Sequence, residues 1–177
     1  MSFKSPSDIE VTSRQIPRWF RIPNTSIQSR PLLIYHGAFD ANPTELTEHL
    51  EGVGEVIPQW VYGMYGQTHY HSTTHEVLGV VSGRAQLCFG GEGNPKRFEP
   101  TVQKGDMIIV PAGVGHKLIK DLHAGEHFKM LGAYPRQKHW DMCYGKEGEE
   151  EKDENIANLD WFKQDPLFGA DGPVLHV

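Results

Sequence analysis

Short apolar runs separated by glycine and proline are the feature that most constrains the fold of this chain. From Glu55 onward, runs rich in Val, Ile, Tyr and Phe recur about every eight to twelve residues. This spacing is typical of short antiparallel strands in a sandwich or barrel. The pattern predicts strands at 31–36, 56–62, 68–71, 76–82, 84–89, 98–102, 107–110, 116–121 and 127–133.

A short helix is expected at 156–162, after the strands, and a longer helix is predicted between the strands at 31–36 and 56–62. Asn42 can cap its start, Pro43 suits the first helical position, and Glu45 completes a capping box. Gly52 and Gly54 should end the helix, since glycine accepts the backbone conformation found at helix ends. We expect this helix to close one end of the β domain.

Charge and cysteine content exclude several classes of protein. The chain has 17 basic and 23 acidic residues, and six of the acids lie in 147–154. We expect this acidic run to be a solvated loop, and the near-neutral remainder has no basic face for nucleic acid. Cys88 and Cys143 form no disulfide framework. No secretory signal or long apolar span is visible, so a soluble, cytoplasmic protein without a membrane partner is expected, with an organellar address left open.

Histidines are concentrated where two of the predicted strands begin. His69 and His71 are two residues apart, so on a strand their side chains point the same way and can reach one metal ion. His116 follows a Pro/Gly turn and can supply a third imidazole. Other histidines, such as His36 and His127, are interpreted as ordinary surface or core residues.

These residues lie in two stretches that resemble the paired motifs of the cupin superfamily. The first motif is matched by Gly63, His69, His71, Glu76 and Gly83. The second is matched by Gly105, Pro111, Gly113 and His116, with Lys120 where the superfamily usually has asparagine. The resemblance implies an all-β, cupin-type double-stranded β-helix, which is a jelly-roll barrel, with a few short flanking helices.

The resemblance also implies a metal site and a domain plan. The implied ligands are His69, His71, Glu76 and His116, holding one divalent transition metal per chain: Mn, Fe, Ni, Cu or Zn. The 177 residues fit one domain. We expect an extended N-terminal arm at 1–30, the cupin barrel at 31–135, and a C-terminal extension packed on the barrel at 136–177. The arm either packs on its own barrel or lends a strand to a second subunit.

Strand alternation and the motif disagree about the fourth ligand. Counted from His71 along a continuous strand, His75 would share its face and Glu76 would not. A tight turn at 72–74 would restart the alternation and select Glu76, with His75 just outside the metal ligands. Further polar candidates for ligand or substrate contact are Tyr62, Tyr65, Gln67, Gln86 and Lys120, beside apolar walls from Leu78, Ile108, Val110 and Leu118.

The resemblance does not identify a reaction, because the same metal ligands serve many different reactions in the cupin superfamily. The first hypothesis is a metal-dependent enzyme, of oxygenase or isomerase type, acting on a small oxygenated organic molecule. The alternative is a non-catalytic module that binds a small molecule or a metal, and a third reading gives the metal a purely structural role. A homodimer is expected, because strand 76–82 is apolar on both faces and a lone barrel fully buries only its inner face.

Overall fold

The computed structural model describes residues 1–123 and 125–177. Within them the chain is mostly β, with eleven strands and two α-helices. The strands are β1 (Ser2–Phe3), β2 (Glu10–Arg14), β3 (Leu32–His36), β4 (Phe39–Asp40), β5 (Val56–Tyr62), β6 (Glu76–Ser82), β7 (Arg84–Phe89), β8 (Thr101–Gln103), β9 (Met107–Val110), β10 (His116–Asp121) and β11 (Lys129–Pro135). The helices are α1 (Pro43–Val53) and α2 (Asp153–Ala157), and 3₁₀ turns occupy Pro6–Asp8, Glu149–Lys152 and Pro173–His176.

Two antiparallel sheets form the barrel. The larger has six strands in the order β2-β3-β9-β6-β11-β5, and the smaller has the order β10-β7-β8. Leu78 and Val80 of β6 point inward, into a buried cluster that also contains Leu87 of β7 and Ile108 of β9. The fold is the expected all-β jelly roll, because alternating apolar residues can bury one face of each sheet against the other.

The outer face of the six-stranded sheet is buried by the chain itself. Val77 and Val81 of β6 belong to a second cluster, together with Leu46 and Leu50 of α1. Phe162, Leu167 and Val174 of the C-terminal extension pack in the same cluster. Because both faces of β6 are covered within one chain, its two-sided apolar character is no reason for a second subunit.

Helix α1 begins and ends for the predicted reasons. The Asn42 side chain accepts a hydrogen bond from the Glu45 backbone N–H (3.0 Å), and the Glu45 carboxylate accepts one from the Asn42 backbone N–H (2.9 Å). Gly54 caps the other end with a left-handed φ of 84°. The predicted capping box is therefore confirmed, whereas Gly52 lies inside the helix and does not end it.

Most strand predictions are confirmed, and the differences fall at strand ends. The expected strand at 68–71 is the main exception, because this segment forms only single bridges, from His69 to His116 and from Tyr70 to Cys143. The strands expected at 98–102 and 127–133 occupy Thr101–Gln103 and Lys129–Pro135 instead. The short helix expected near 156–162 is α2, which begins and ends earlier.

The acidic run at 147–154 is largely exposed, as expected, but it is folded and is not a loop. Glu149 turns inward, and its carboxylate accepts hydrogen bonds from the backbone N–H groups of 144–146 at 2.7 to 3.2 Å. Asp153 pairs with Arg18 of the N-terminal arm at 2.5 Å. These partners offset the mutual repulsion of the acids, so the run folds into a 3₁₀ turn and α2.

The N-terminal arm packs on its own chain. Strand β2 pairs with β3 at the edge of the six-stranded sheet, with Val11 opposite Tyr35. Ile16 is buried in the inner cluster. Among the described residues, no helix is both long and apolar enough to cross a bilayer.

Candidate metal centre and cavity

The three histidines of the two motifs meet at one point inside the barrel. His69 and His116 exchange two backbone hydrogen bonds, of 3.2 and 2.9 Å, which place their side chains next to each other. His71 follows two residues later and points the same way, as the alternation predicted. One ring nitrogen from each of the three lies within 4.8 Å of the others, and all three side chains are buried, so together they could bind a metal ion.

Backbone carbonyls fix the orientation of each ring. Nδ1 of His69 lies 2.9 Å from the Gln67 carbonyl, and Nδ1 of His116 lies 2.9 Å from the Val114 carbonyl. Nδ1 of His71 lies 2.5 Å from the carbonyl of Asp141. A carbonyl can only accept, so each Nδ1 carries the proton and each neutral ring keeps its Nε2 lone pair free. A hydrogen bond from the ring nitrogen that does not bind the metal is the usual way in which proteins orient metal-binding histidines.

Glu76 completes the group from the start of β6. Its Oε2 lies 3.2 Å from Nε2 of His116 and 3.5 Å from Nε2 of His71. Its Oε1 accepts a 2.8 Å hydrogen bond from the Tyr134 hydroxyl, while Oε2 is buried without a hydrogen-bond donor. Lone pairs from two imidazoles and a carboxylate therefore face each other, an arrangement that needs a positive charge between them. The residues present thus fit a divalent metal ion.

The pKa values of the histidines and of Glu76 reflect their burial next to one another. Burial, helped by the neighbouring His116, lowers the pKa of His69 to about 3. Burial also acts to lower the pKa of His71, but the Glu76 carboxylate outweighs it and raises that pKa above the usual value. For Glu76, burial would raise the pKa, yet His71 and His116 hold it well below the ordinary range. The carboxylate is therefore ionised, and without a metal the positive charge beside it is the proton that the raised pKa keeps on His71; a bound metal would take the place of that proton.

The bend between His71 and Glu76 explains why position 76 faces the site. Residues Ser72 and Thr73 form a bend and not a continuous strand. The Asp141 carboxylate holds this bend by accepting hydrogen bonds from the Ser72 backbone N–H (2.7 Å) and hydroxyl (2.6 Å). The predicted interruption is confirmed, and the alternation starts again at β6.

His75 does not reach the metal centre, in contrast to its predicted place beside the ligands. Its Nδ1 accepts a hydrogen bond from the Ala112 backbone N–H (2.9 Å), and its Nε2 donates to the Asp160 carbonyl (3.1 Å). The ring also packs edge-on against Trp161 at 4.9 Å. Because it follows the bend and precedes β6, its side chain points away from Glu76 and joins the second motif to the C-terminal extension.

The five further polar candidates divide into two groups. Tyr62 and Tyr65 line the cavity above the histidines. Gln67, Gln86 and Lys120 do not: Gln67 contributes its backbone carbonyl to His69, and the other two face each other in register on β7 and β10. Of the predicted apolar walls, Leu78 lines the cavity, whereas Ile108, Val110 and Leu118 pack in the inner cluster.

The cavity has a volume of about 560 Å³ and includes residues that sequence patterns did not single out. These additional residues are Trp60, Met64, Met130, Tyr134, Trp140 and Met142. Alternation along β11 could have placed Met130 and Tyr134 on one face. Trp140 and Met142 come from the C-terminal extension, which thus forms one wall of the site, and no local pattern marked them.

Comparison with known proteins gives the family. A sequence model of the family described as Cupin matches residues 40–119. The uncharacterized protein YjlB of Bacillus subtilis (strain 168) is 35% identical over 158 residues, which cover 89% of this chain and 90% of YjlB.

Two solved structures are more distant. A mutant of Bacillus subtilis oxalate decarboxylase is 17% identical, with a TM-score of 0.39, and the match covers 64% of this chain and 27% of the decarboxylase. An acireductone dioxygenase from Bacillus anthracis with a cadmium ion in its active center is 19% identical, with a TM-score of 0.38, over 57% of this chain and 63% of the dioxygenase. The matching family, the YjlB relationship and the jelly-roll fold together show that this chain belongs to the cupin family, as a single-domain cupin.

Proposed function

We propose that the protein holds one divalent transition metal through His69, His71, Glu76 and His116. The observation that carries this proposal is the buried, donor-free Oε2 of Glu76, which faces imidazole lone pairs at 3.2 and 3.5 Å. Three nitrogen ligands and one carboxylate suit Mn, Fe, Ni, Cu or Zn.

We further propose that the metal centre is the active site of an oxygenase or isomerase acting on a small oxygenated organic molecule. A metal bound there would supply Lewis-acid or redox chemistry at positions that the four side chains leave open. The protein's own residues would orient that centre. The Tyr134 hydroxyl positions the Glu76 carboxylate, and Trp60 in turn donates to the Tyr134 oxygen at 2.9 Å. The apolar wall at Leu78 would exclude water from the bound molecule.

One observation favours the alternative of a non-catalytic binding module. Among the described residues that line the cavity, the only side chains besides the four proposed ligands that can exchange a proton are Tyr62, Tyr65 and Tyr134. Burial and the nearby Glu76 raise the pKa of Tyr134 above its usual value, so it stays protonated at neutral pH. A reaction that needs a separate carboxylate or histidine base finds none among the lining residues that the structure describes.

Metal content tests the ligand set. The wild-type protein should contain close to one transition metal per chain by elemental analysis, and the His69→Ala/His71→Ala double variant should lose it. Glu76→Gln should weaken metal binding markedly, because it removes the anionic ligand. The matched control is His75→Gln, which changes a neighbouring buried residue that points away from the centre and should keep near-normal metal content. Full metal content in the double variant would refute the proposed ligand set.

Turnover separates the enzyme from the binding module. Metal-loaded protein would be given a panel of keto acids, diols, catechols and sugars while oxygen uptake and product formation are followed. Removing the metal with a chelator should lower the melting temperature in both cases, because a ligand that binds only the native state stabilises it. Reversible binding without any turnover would favour the module.

We also propose that the protein is a homodimer. Strand β5 is an edge of the six-stranded sheet, and its Val61 and Tyr62 are exposed. An exposed apolar edge strand is a surface on which a second chain can pair. Light scattering at micromolar concentration should give twice the chain mass, and the monomer mass would refute the proposal.

A further inference from the structure

The cavity next to the metal centre is almost free of polar side chains. Besides the four proposed ligands, its lining consists of Trp60, Tyr62, Gly63, Met64, Tyr65, Leu78, Met130, Tyr134, Trp140 and Met142. No lysine, arginine, aspartate, asparagine, glutamine, serine or threonine side chain is among these described lining residues. Three of the chain's five methionines are present. A bound molecule would therefore meet methionine, aromatic and aliphatic surfaces over most of its area.

The charge of the centre limits the charge of its ligand. A divalent ion held by three neutral imidazoles and the Glu76 carboxylate leaves one net positive charge. A head group with a single negative charge would balance it. A second negative charge on the ligand would have no cation to pair with among the described lining residues, which include no lysine or arginine. Burying an unpaired charge is strongly unfavourable.

The aromatic walls favour a flat or branched apolar body. Trp140 stacks on Tyr134 with ring centroids 4.8 Å apart and planes 15° apart, so the pair offers a flat face to the cavity. The Trp60 indole is held by its hydrogen bond to the same tyrosine. Met64, Met130 and Met142 have flexible thioether chains, which adapt to the shape of an apolar partner and contact aromatic rings favourably.

From these observations we propose that the cavity selects a molecule with one singly charged oxygen head group and an uncharged, apolar or aromatic body. Dicarboxylates and sugars are disfavoured. This inference rests on the proposed metal function for the head group, but the selection of the body depends on the walls alone.

Matched pairs of 2-keto acids test the selection, since they share a head group that can bind a metal through two oxygens. The full-length, metal-loaded protein would be titrated calorimetrically with each acid. 2-Oxohexanoate and 2-oxoglutarate differ only beyond C4, where the first has an ethyl group and the second a carboxylate of similar size, and we expect the first to bind about 100-fold more tightly. Benzoylformate carries a phenyl group where pyruvate carries a methyl group, and we expect about a 30-fold preference for benzoylformate.

A positive charge placed on the cavity wall should reduce the first preference. Met142 is half-buried in the C-terminal extension and is not among the proposed ligands. The Met142→Arg variant should gain affinity for 2-oxoglutarate by at least about 10-fold, since an ion pair with the distal carboxylate becomes possible. Met142→Leu is the matched control and should keep the wild-type ratio of the two affinities.

The outcomes separate this inference from the proposed function. Metal content is measured on the same samples, and a wild-type protein that takes up no metal overturns the proposed function. A metal-loaded protein that binds 2-oxoglutarate as tightly as 2-oxohexanoate, or that binds none of the four acids, overturns the inference and leaves the metal site standing.

Discussion

Asp141 connects the C-terminal extension to the metal centre through two different groups. Its backbone carbonyl accepts the hydrogen bond from Nδ1 of His71, and its carboxylate accepts two from Ser72, at 2.7 and 2.6 Å. Lys152 adds an ion pair at 3.2 Å. The Asp141→Asn variant keeps the shape of the side chain but removes its charge and replaces one accepting oxygen by a donor.

The expected loss follows from these contacts. A hydrogen bond to a charged group contributes about 1.5 to 3 kcal/mol, so weakening the two bonds from Ser72 should lower the free energy of unfolding by about 2 to 4 kcal/mol. For a chain of this size, this corresponds to a melting temperature lower by about 5 to 15 °C. Because the bend sets the direction of His71, metal affinity should also fall by about 10- to 100-fold.

Thermal unfolding and a competition titration with a metal indicator dye would measure the two effects. Asp171→Asn is the control, because Asp171 is an exposed aspartate paired with His176 away from the cavity, and both quantities should stay near wild type. Burial would raise the pKa of Asp141, but its hydrogen bonds from Ser72 hold it below the ordinary value of 3.8. Its contribution is thus fully present above that pH and lost as the pH falls through the lower, folded-state pKa. An Asp141→Asn variant with unchanged melting temperature and metal affinity at pH 7 would refute this reasoning.

Three further predictions concern Tyr134, Gly132 beside the Trp60 ring, and His75. Tyr134→Phe removes the donor to Glu76 and should weaken metal binding by about 10-fold, measured with the same dye; equal affinity would mean that the hydroxyl does not position the carboxylate. Gly132→Ala would place a Cβ about 2.1 Å from the Trp60 indole, so the ring must move, and ligand affinity should fall while metal content is kept; unchanged tryptophan fluorescence and ligand affinity would contradict this. Burial lowers the pKa of His75 to about 4, below its ordinary value of 6.5. In metal-free protein the unfolded state therefore takes up the proton at a higher pH than the folded state does. The free energy of unfolding should fall as the pH falls from 6.5 to 4, by up to about 1.4 kcal/mol per pH unit. The His75→Gln variant should lose less stability than wild type over that range in denaturant titrations, and identical pH profiles would show that His75 is not responsible.

Local sequence signals determined most of the strands, the helix and the positions of the proposed ligands. The capping box at Asn42 and the alternation in β6 depend only on neighbouring residues, so they could be predicted at nearly their true bounds. The resemblance to cupin motifs supplied Glu76, which alternation alone would have rejected in favour of His75. The all-β class follows from the same short-range periodicity, because each strand is specified by which of its residues can be buried.

Only the tertiary structure decided what surrounds the ligands. Tyr134 contacts Glu76 from 58 positions away, and Asp141 contacts His71 from 70 positions away. Such contacts leave no local pattern, because a tyrosine on a strand or an aspartate in a loop has the same sequence signature whether or not it reaches the site. The acidic run illustrates the same limit: its exposure could be expected from its charge, but its fold depends on backbone N–H groups and on Arg18 of a distant segment. The sequence therefore specified the proposed ligands by their spacing, whereas the pairing of distant segments determined the orientation of these side chains and the character of the cavity.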